Sequence, residues 1–169
     1  MKFFIIKGVK SEERLLDETA LFLHRTVKNL PQKTQNIITE LYNKETMFRG
    51  KKILLVDDDM RNIFALGKVL REKGFDVIKA ENGIIALEAL KNNPDIDLVL
   101  MDIMMPIMDG FEASDYISKK KPYIPIIALT AISEDINKEL FSASRIKKVL
   151  SKPVDVEELY ETILNTITA

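Results

Sequence analysis

No cysteine occurs in the 169 residues. That excludes disulfides, thiolate metal sites and cysteine nucleophiles, and it suits a reducing cytoplasm. Long apolar runs are also missing. The apolar start Phe3-Phe4-Ile5-Ile6 spans four residues, too few for a signal-peptide core or a membrane span. Charge of one sign is not in excess: the net charge is -1, so no whole-chain field draws the protein to nucleic acid or anionic lipid. Histidine is down to one residue, His24, and no low-complexity segment is present. The expectation is a cytoplasmic chain with neither a nucleic-acid nor a membrane partner.

What is there is an ordinary globular balance, 46% hydrophobic and 30% charged residues. The length allows one domain with a core plus an appendage. The charge is unevenly divided. Residues 1–50 carry nine Lys/Arg against six Asp/Glu, and residues 51–169 carry sixteen against twenty.

Residues 1–50 read as a mostly helical N-terminal extension. Phe3 to Ile6 suggests a short strand, with Gly8 as its turn. Ser11 can cap a helix, with Glu12 and Glu13 in its first turn. Leu15, Leu16, Phe22, Leu23, Val27 and Leu30 form an apolar stripe at helical spacing, and Ile37, Ile38 and Leu41 form a weaker one. One short strand and two helices cannot bury their own faces. They are expected to pack on the main domain, on a second copy of the chain, or on something missing from this sequence.

From Lys51 to Ala169 the pattern alternates. Strands are predicted at 52–56, 75–79, 97–101, 124–129 and 146–150, and helices at 60–73, 82–92, 110–120, 133–143 and 155–167. Five strands alternating with five helices predict an α/β domain with a parallel sheet covered on both faces. Gly74, Asn82-Gly83 and Pro94 fall between these elements as turn signals, and Asp59 and Asp155 are candidate helix caps.

Polar residues stand at the carboxyl ends of four predicted strands. Asp57, Asp58 and Asp59 follow Val56, Asp102 follows Met101, Thr130 follows Leu129, and Lys152 follows Ser151. In an open α/β sheet those ends form the crevice where ligands bind. Asp58 and Asp102 would lie on adjacent strands in a flavodoxin-like order. Hard oxygen ligands on a rigid rim suit Mg²⁺, and crowded carboxylates repel until a cation relieves them. An aspartate can also act as a nucleophile and form an aspartyl phosphate. Such a transfer needs positioning and charge neutralisation, which Mg²⁺, the Lys152 ammonium and the Thr130 hydroxyl could supply. Each feature alone has a bland reading: an Asp after a strand is often a cap, and Lys-Pro or Thr-Ala alone says little. Their order on alternating strands is what gives the pattern weight.

Residues 51–169 resemble the receiver domain of two-component response regulators. The resemblance is carried by Val56-Asp57-Asp58, by Met101-Asp102-Ile103-Met104-Met105-Pro106 with Met108-Asp109-Gly110, by Ala128-Leu129-Thr130-Ala131 and by Ser151-Lys152-Pro153. The wording Asp59-Met60-Arg61-Asn62-Ile63-Phe64-Ala65-Leu66 is most similar to receivers attached to hybrid sensor histidine kinases. The resemblance implies a flavodoxin-like (βα)5 doubly wound sheet with strand order 2-1-3-4-5. It implies that Asp102 accepts a phosphoryl group from a histidine kinase or a histidine phosphotransfer protein. Asp58 would hold Mg²⁺ directly and Asp57 through water, with Asp102 and the backbone carbonyl of Met104 completing the protein ligands. Thr130 would turn towards the phosphoryl group after transfer and Lys152 would pair with it, the Lys152–Pro153 peptide being often cis in the family. The resulting change would reach a downstream protein through the face made by the fourth helix, fifth strand and fifth helix. With the chain ending two residues past the last predicted helix, output is expected through a protein surface or a relay to another histidine.

Some positions depart from the family pattern. Val149 replaces the usual switch aromatic, Ser142-Ala143-Ser144-Arg145 replaces a Gly-Ala, and Met104 and Ile132 are both apolar. Ile5-Ile6-Lys7-Gly8 with Ser11 to Glu18 resembles the last strand and helix of an upstream receiver-like domain. Residues 1–50 would then be the remnant of that domain, and the chain a fragment of a hybrid kinase or a shortened descendant. His24, in Leu23-His24-Arg25-Thr26, lacks the acidic follower of a kinase histidine and the Lys-Gly of a phosphotransfer module, and is read as structural. The competing function is a phosphorylation-independent pseudo-receiver that acts as an interaction or homodimerisation module through residues 1–50. An Asp-nucleophile phosphohydrolase is disfavoured, because its general acid would stand at Met104.

Overall fold

The computed structural model describes residues 31–32, 48–131 and 144–168. The predicted N-terminal elements, His24, Ile132 and the helix predicted at 133–143 lie outside them. The fold described below lies within the compact unit Lys44–Ala169.

Five parallel strands form one sheet: β1 (Lys52–Val56), β2 (Asp76–Ala80), β3 (Leu98–Asp102), β4 (Ile126–Thr130) and β5 (Lys148–Ser151). Their order is β2-β1-β3-β4-β5, the flavodoxin-like order expected from the sequence. The described helices are α1 (Met60–Glu72), α2 (Gly83–Asn92), α3 (Gly110–Lys120) and α4 (Val156–Thr168). Strands β2 to β5 begin one or two residues later than the apolar runs suggest. For β4 the reason is Pro125, which has no N–H to donate and joins the sheet only through its carbonyl, accepting from Val99 N at 3.0 Å.

Every residue of β3 and β4 is buried, as the unbroken apolar runs require of central strands. Alternate residues feed two apolar layers. Ile53 and Leu55 of β1 join Leu70 of α1 and Leu159 and Ile163 of α4. Leu54 and Val56 face the other way and join Ala86 and Leu90 of α2 and Ala113 and Ile117 of α3. The first layer reaches back to Phe48, whose ring lies 4.7 Å from Phe75 and 6.3 Å from Tyr160.

The turns at the carboxyl ends of the strands are tied by side-chain caps. Asp59 accepts from Arg61 N at 2.9 Å, Asn82 from Ile85 N at 3.0 Å, Asp109 from Glu112 N at 2.8 Å and Asp155 from Glu158 N at 2.9 Å. Each cap satisfies an orphan N–H of a helix start and fixes where the preceding strand releases its last residue. Asp59 also meets the Arg61 guanidinium, whose hydrogen bonds hold its carboxyl down to about 2. At the other end of α1, Gly74 takes φ +93°, a conformation that glycine adopts without cost.

The loop from β3 to α3 contains one strained residue. Met108 N donates to Pro106 O at 2.9 Å, which closes a three-residue turn with Ile107 at its centre. Ile107 has φ 74° and is 78% exposed. A β-branched side chain at that φ is unfavourable, and exposure gives it little packing in return. Ile107→Gly is therefore expected to stabilise the fold by about 1 kcal/mol, read from urea unfolding. A loss of stability would mean that the side chain makes a contact worth more than the strain.

Candidate functional site

The sheet register brings the predicted residues together. Val56 of β1 pairs with Met101 of β3, so Asp57 and Asp102 leave the sheet side by side. Thr130 of β4 pairs with Ser151 of β5, which sets Lys152 just above it. Lys152 N donates to Thr130 O at 2.7 Å, and the Lys152–Pro153 peptide is cis.

Asp57 and Thr130 are fully buried, Asp102 is 4% exposed, and Asp58 is exposed. Carboxylate oxygens of Asp57, Asp58 and Asp102 all lie within 4.8 Å of one another. The Lys152 ammonium sits between two of these groups, 2.7 Å from Asp57 Oδ2 and 2.7 Å from Asp102 Oδ2. One cation against three carboxylates leaves an excess of negative charge in a partly buried pocket. An oxygen-only donor set carrying that charge fits a small divalent cation such as Mg²⁺.

The titration directions follow from this packing. Burial raises the Asp102 carboxyl above its ordinary value, outweighing the lowering pull of Lys152 and of the Met104 N–H. For Lys152, burial works against the charged form, but its hydrogen bonds to Asp102 and Asp57 prevail and raise its value. The lysine is thus held charged at neutral pH between its two partners.

The loop after β3 holds the Asp102 carboxylate. Met104 N donates to Asp102 Oδ1 at 3.1 Å, while the Met104 side chain is 60% exposed. Gly110 N donates to Ile103 O at 3.0 Å. Gly110 lies so close to the end of β3 that a Cβ there would fall 2.2 Å from Asp102 O and 2.7 Å from Ile103 Cα. Val149, at the position of the usual aromatic, is half-buried and packs against the small cluster of Ile103 and Ala128.

The sequence reading assigned no role to Asn62, which the structure puts at the rim. Its Nδ2 lies 3.2 Å from each carboxylate oxygen of Asp57. The available signal was its place three residues beyond the Asp59 cap, where a helix-start side chain can reach back.

The geometry agrees with comparisons to known proteins. The family model for the response regulator receiver domain matches residues 53–164. Protein PilH of Pseudomonas aeruginosa is 37% identical over 114 residues, covering 66% of this chain and 93% of PilH. The sensor histidine kinase GacS of Pseudomonas protegens is 32% identical over 121 residues, covering 69% of this chain but 13% of the kinase. The chain thus matches nearly all of one curated relative and a small part of the other. Among solved structures, the response regulator protein TrrA from Thermotoga maritima has a TM-score of 0.63 and 34% identity, covering 69% of this chain and 98% of TrrA. No described helix is long and apolar enough to cross a membrane. With the sheet order, the acidic trio and the bridging lysine all agreeing, the chain belongs to the response regulator receiver domain family.

Proposed function

We propose that the chain is the phosphoacceptor of a phosphorelay, with Asp102 as the residue that takes the phosphoryl group. The observation that carries this is the Lys152 ammonium held 2.7 Å from Asp102 at the carboxyl end of the sheet, within an oxygen-only acidic cluster. A carboxylate oxygen of Asp102 attacks phosphorus in line. The bond from phosphorus to the donor's imidazole nitrogen breaks, and its electron pair returns to the imidazole. The donor is a phosphohistidine on a histidine kinase or phosphotransfer protein.

Asp57, Asp58, Asp102 and the backbone carbonyl of Met104 would hold Mg²⁺, with Asp57 acting through water. Mg²⁺ held there would supply charge neutralisation for the transferred group. Lys152 pairs with a second oxygen, and the Thr130 hydroxyl turns to a third. That TrrA was solved in complex with Mg(2+)-BeF supports this reading.

The change at Thr130 and Lys152 is read by a protein partner through a face that includes β5 and α4; the helix predicted at 133–143 lies outside the described residues. Residues 51–169 act as the receiver, in the cytoplasm, and residues 1–50 are an extension left from an upstream receiver-like domain. The pseudo-receiver alternative is not favoured, since a degenerate site has no need of the complete acidic trio and bridging lysine.

The test is intact-mass spectrometry after acetyl phosphate treatment, with Mg²⁺ and with chelator. The expected result is a single phosphoryl adduct that forms only with Mg²⁺. No adduct under either condition would overturn the reading and leave residues 1–50 as the place to look for function.

A further inference from the structure

Asn62 stands third in α1, and its side-chain amide faces the fully buried Asp57 carboxylate. A carboxylate only accepts, so the amide presents its nitrogen, 3.2 Å from each oxygen. Asp57 has two further donors, the backbone N–H of Asp59 at 2.8 Å and Lys152 Nζ at 2.7 Å. At many helix starts the third residue is a Glu or Gln that accepts the cap's own N–H. Here the cap's N–H goes to Asp57, and the third residue donates to the same carboxylate. The start of α1 is built around Asp57, the first residue after β1.

The three donors differ in what else they serve. Lys152 is shared with Asp102, at 2.7 Å, and in the reading above it pairs with an oxygen of the phosphoryl group. The Asp59 N–H and the Asn62 amide belong to α1, and Asp57 is their acceptor in this pocket. We propose that Asn62 is a positioning residue for the divalent-cation site. Its amide fixes the plane of the Asp57 carboxylate and keeps it fixed when Lys152 is drawn away. An amide suits the place because it donates without changing the charge. A carboxylate there would repel Asp57, and an ammonium would compete with the cation. This inference rests on the acidic trio being a cation site.

The test compares wild type with Asn62→Ala and Asn62→Leu. Both replacements are better helix formers than Asn, so α1 is expected to stay intact, which melting temperature checks. Mg²⁺ affinity is measured by calorimetry without any phosphodonor, and the Mg²⁺ dependence of acetyl phosphate uptake is measured beside it. Both variants are expected to bind Mg²⁺ about tenfold more weakly, the size of one lost hydrogen bond to a charged group. At saturating Mg²⁺ their phosphorylation rate returns to within about threefold of wild type, because the acceptor itself is untouched. Unchanged Mg²⁺ affinity in both folded variants overturns the proposal, as does a lowered melting temperature with unchanged affinity. A wild type that binds no Mg²⁺ overturns the site reading itself, an outcome distinct from wild type and variants binding alike.

Discussion

Asp102→Asn is expected to take up no phosphoryl group from acetyl phosphate, at any Mg²⁺ concentration, and at the same time to be more stable than wild type. The first effect is chemical. An amide oxygen lacks the charge and nucleophilicity of the carboxylate, and no other described carboxylate has both the burial of Asp102 and its place beside Lys152 and the Met104 N–H. The second effect follows from linkage. Burial holds the Asp102 carboxyl above its ordinary value in the fold, so the folded chain keeps this proton more tightly than the unfolded chain does. The stability tied to this group is therefore full at pH below its unfolded value and is lost as pH rises through the folded value. At neutral pH the ionised side chain destabilises the fold, and Asn removes that penalty. Lys152 loses one partner but retains Asp57 at 2.7 Å. A net gain of about 1 kcal/mol is expected at pH 7, shrinking towards acid pH. Intact mass reads the first effect, and urea unfolding at neutral and acid pH reads the second. An adduct that persists in this variant would move the acceptor elsewhere, and a stability loss that grows with pH would reverse the sign of the electrostatic account.

Gly110→Ala is expected to be the most damaging small substitution in the acceptor loop. The added methyl would meet two backbone atoms of the strand that carries Asp102, at 2.2 and 2.7 Å, and backbone cannot swing aside as a flexible side chain can. At Gly83 the same addition meets the side chain of Met108, which can move. Overpacking against backbone at Gly110 should cost about 3 kcal/mol in urea unfolding. Because the clash is with the Asp102 carbonyl, the rate of phosphate uptake should fall with it. A cost under about 1 kcal/mol would show that α3 can shift outward and that its approach to the acceptor strand is not a tight constraint.

The architecture was legible because it rests on local signals. The apolar runs of β3 and β4 are unbroken, so burial on both faces could be read directly, and the polar residues that end each run marked the rim. Strand starts were less legible, since the entry of β4 depends on the missing N–H of Pro125 rather than on hydropathy. Phe48 reads as part of the N-terminal segment, yet it packs with Phe75 and Tyr160, residues far from it along the chain. Asn62 and Gly110 were read as parts of motifs and given no role of their own. Gly110 owes its importance to the Asp102 backbone packed against it, while Asn62 reaches only five residues back to Asp57, a contact its place in the helix start could have suggested. The packing of Phe48 and the close approach of Gly110 depend on the assembled fold, and no spacing rule announces them.

The bridge from Lys152 ties this site to the order in which the chain is made. Its two bonds join residues 95 and 50 positions apart, so the pocket has no precursor in any short stretch of the polypeptide. During synthesis, β1 and β3 can emerge and pair while Asp57 and Asp102 still lack their counter-charge. The pair is completed only once β5 has been added at the far edge of the sheet. A ribosome-bound chain that stops short of residue 152 would present acidic groups but no ammonium to receive the incoming phosphoryl oxygen. If Asp102 is the acceptor proposed above, a half-made copy would lack the ammonium that meets a phosphoryl oxygen, and uptake would wait for β5.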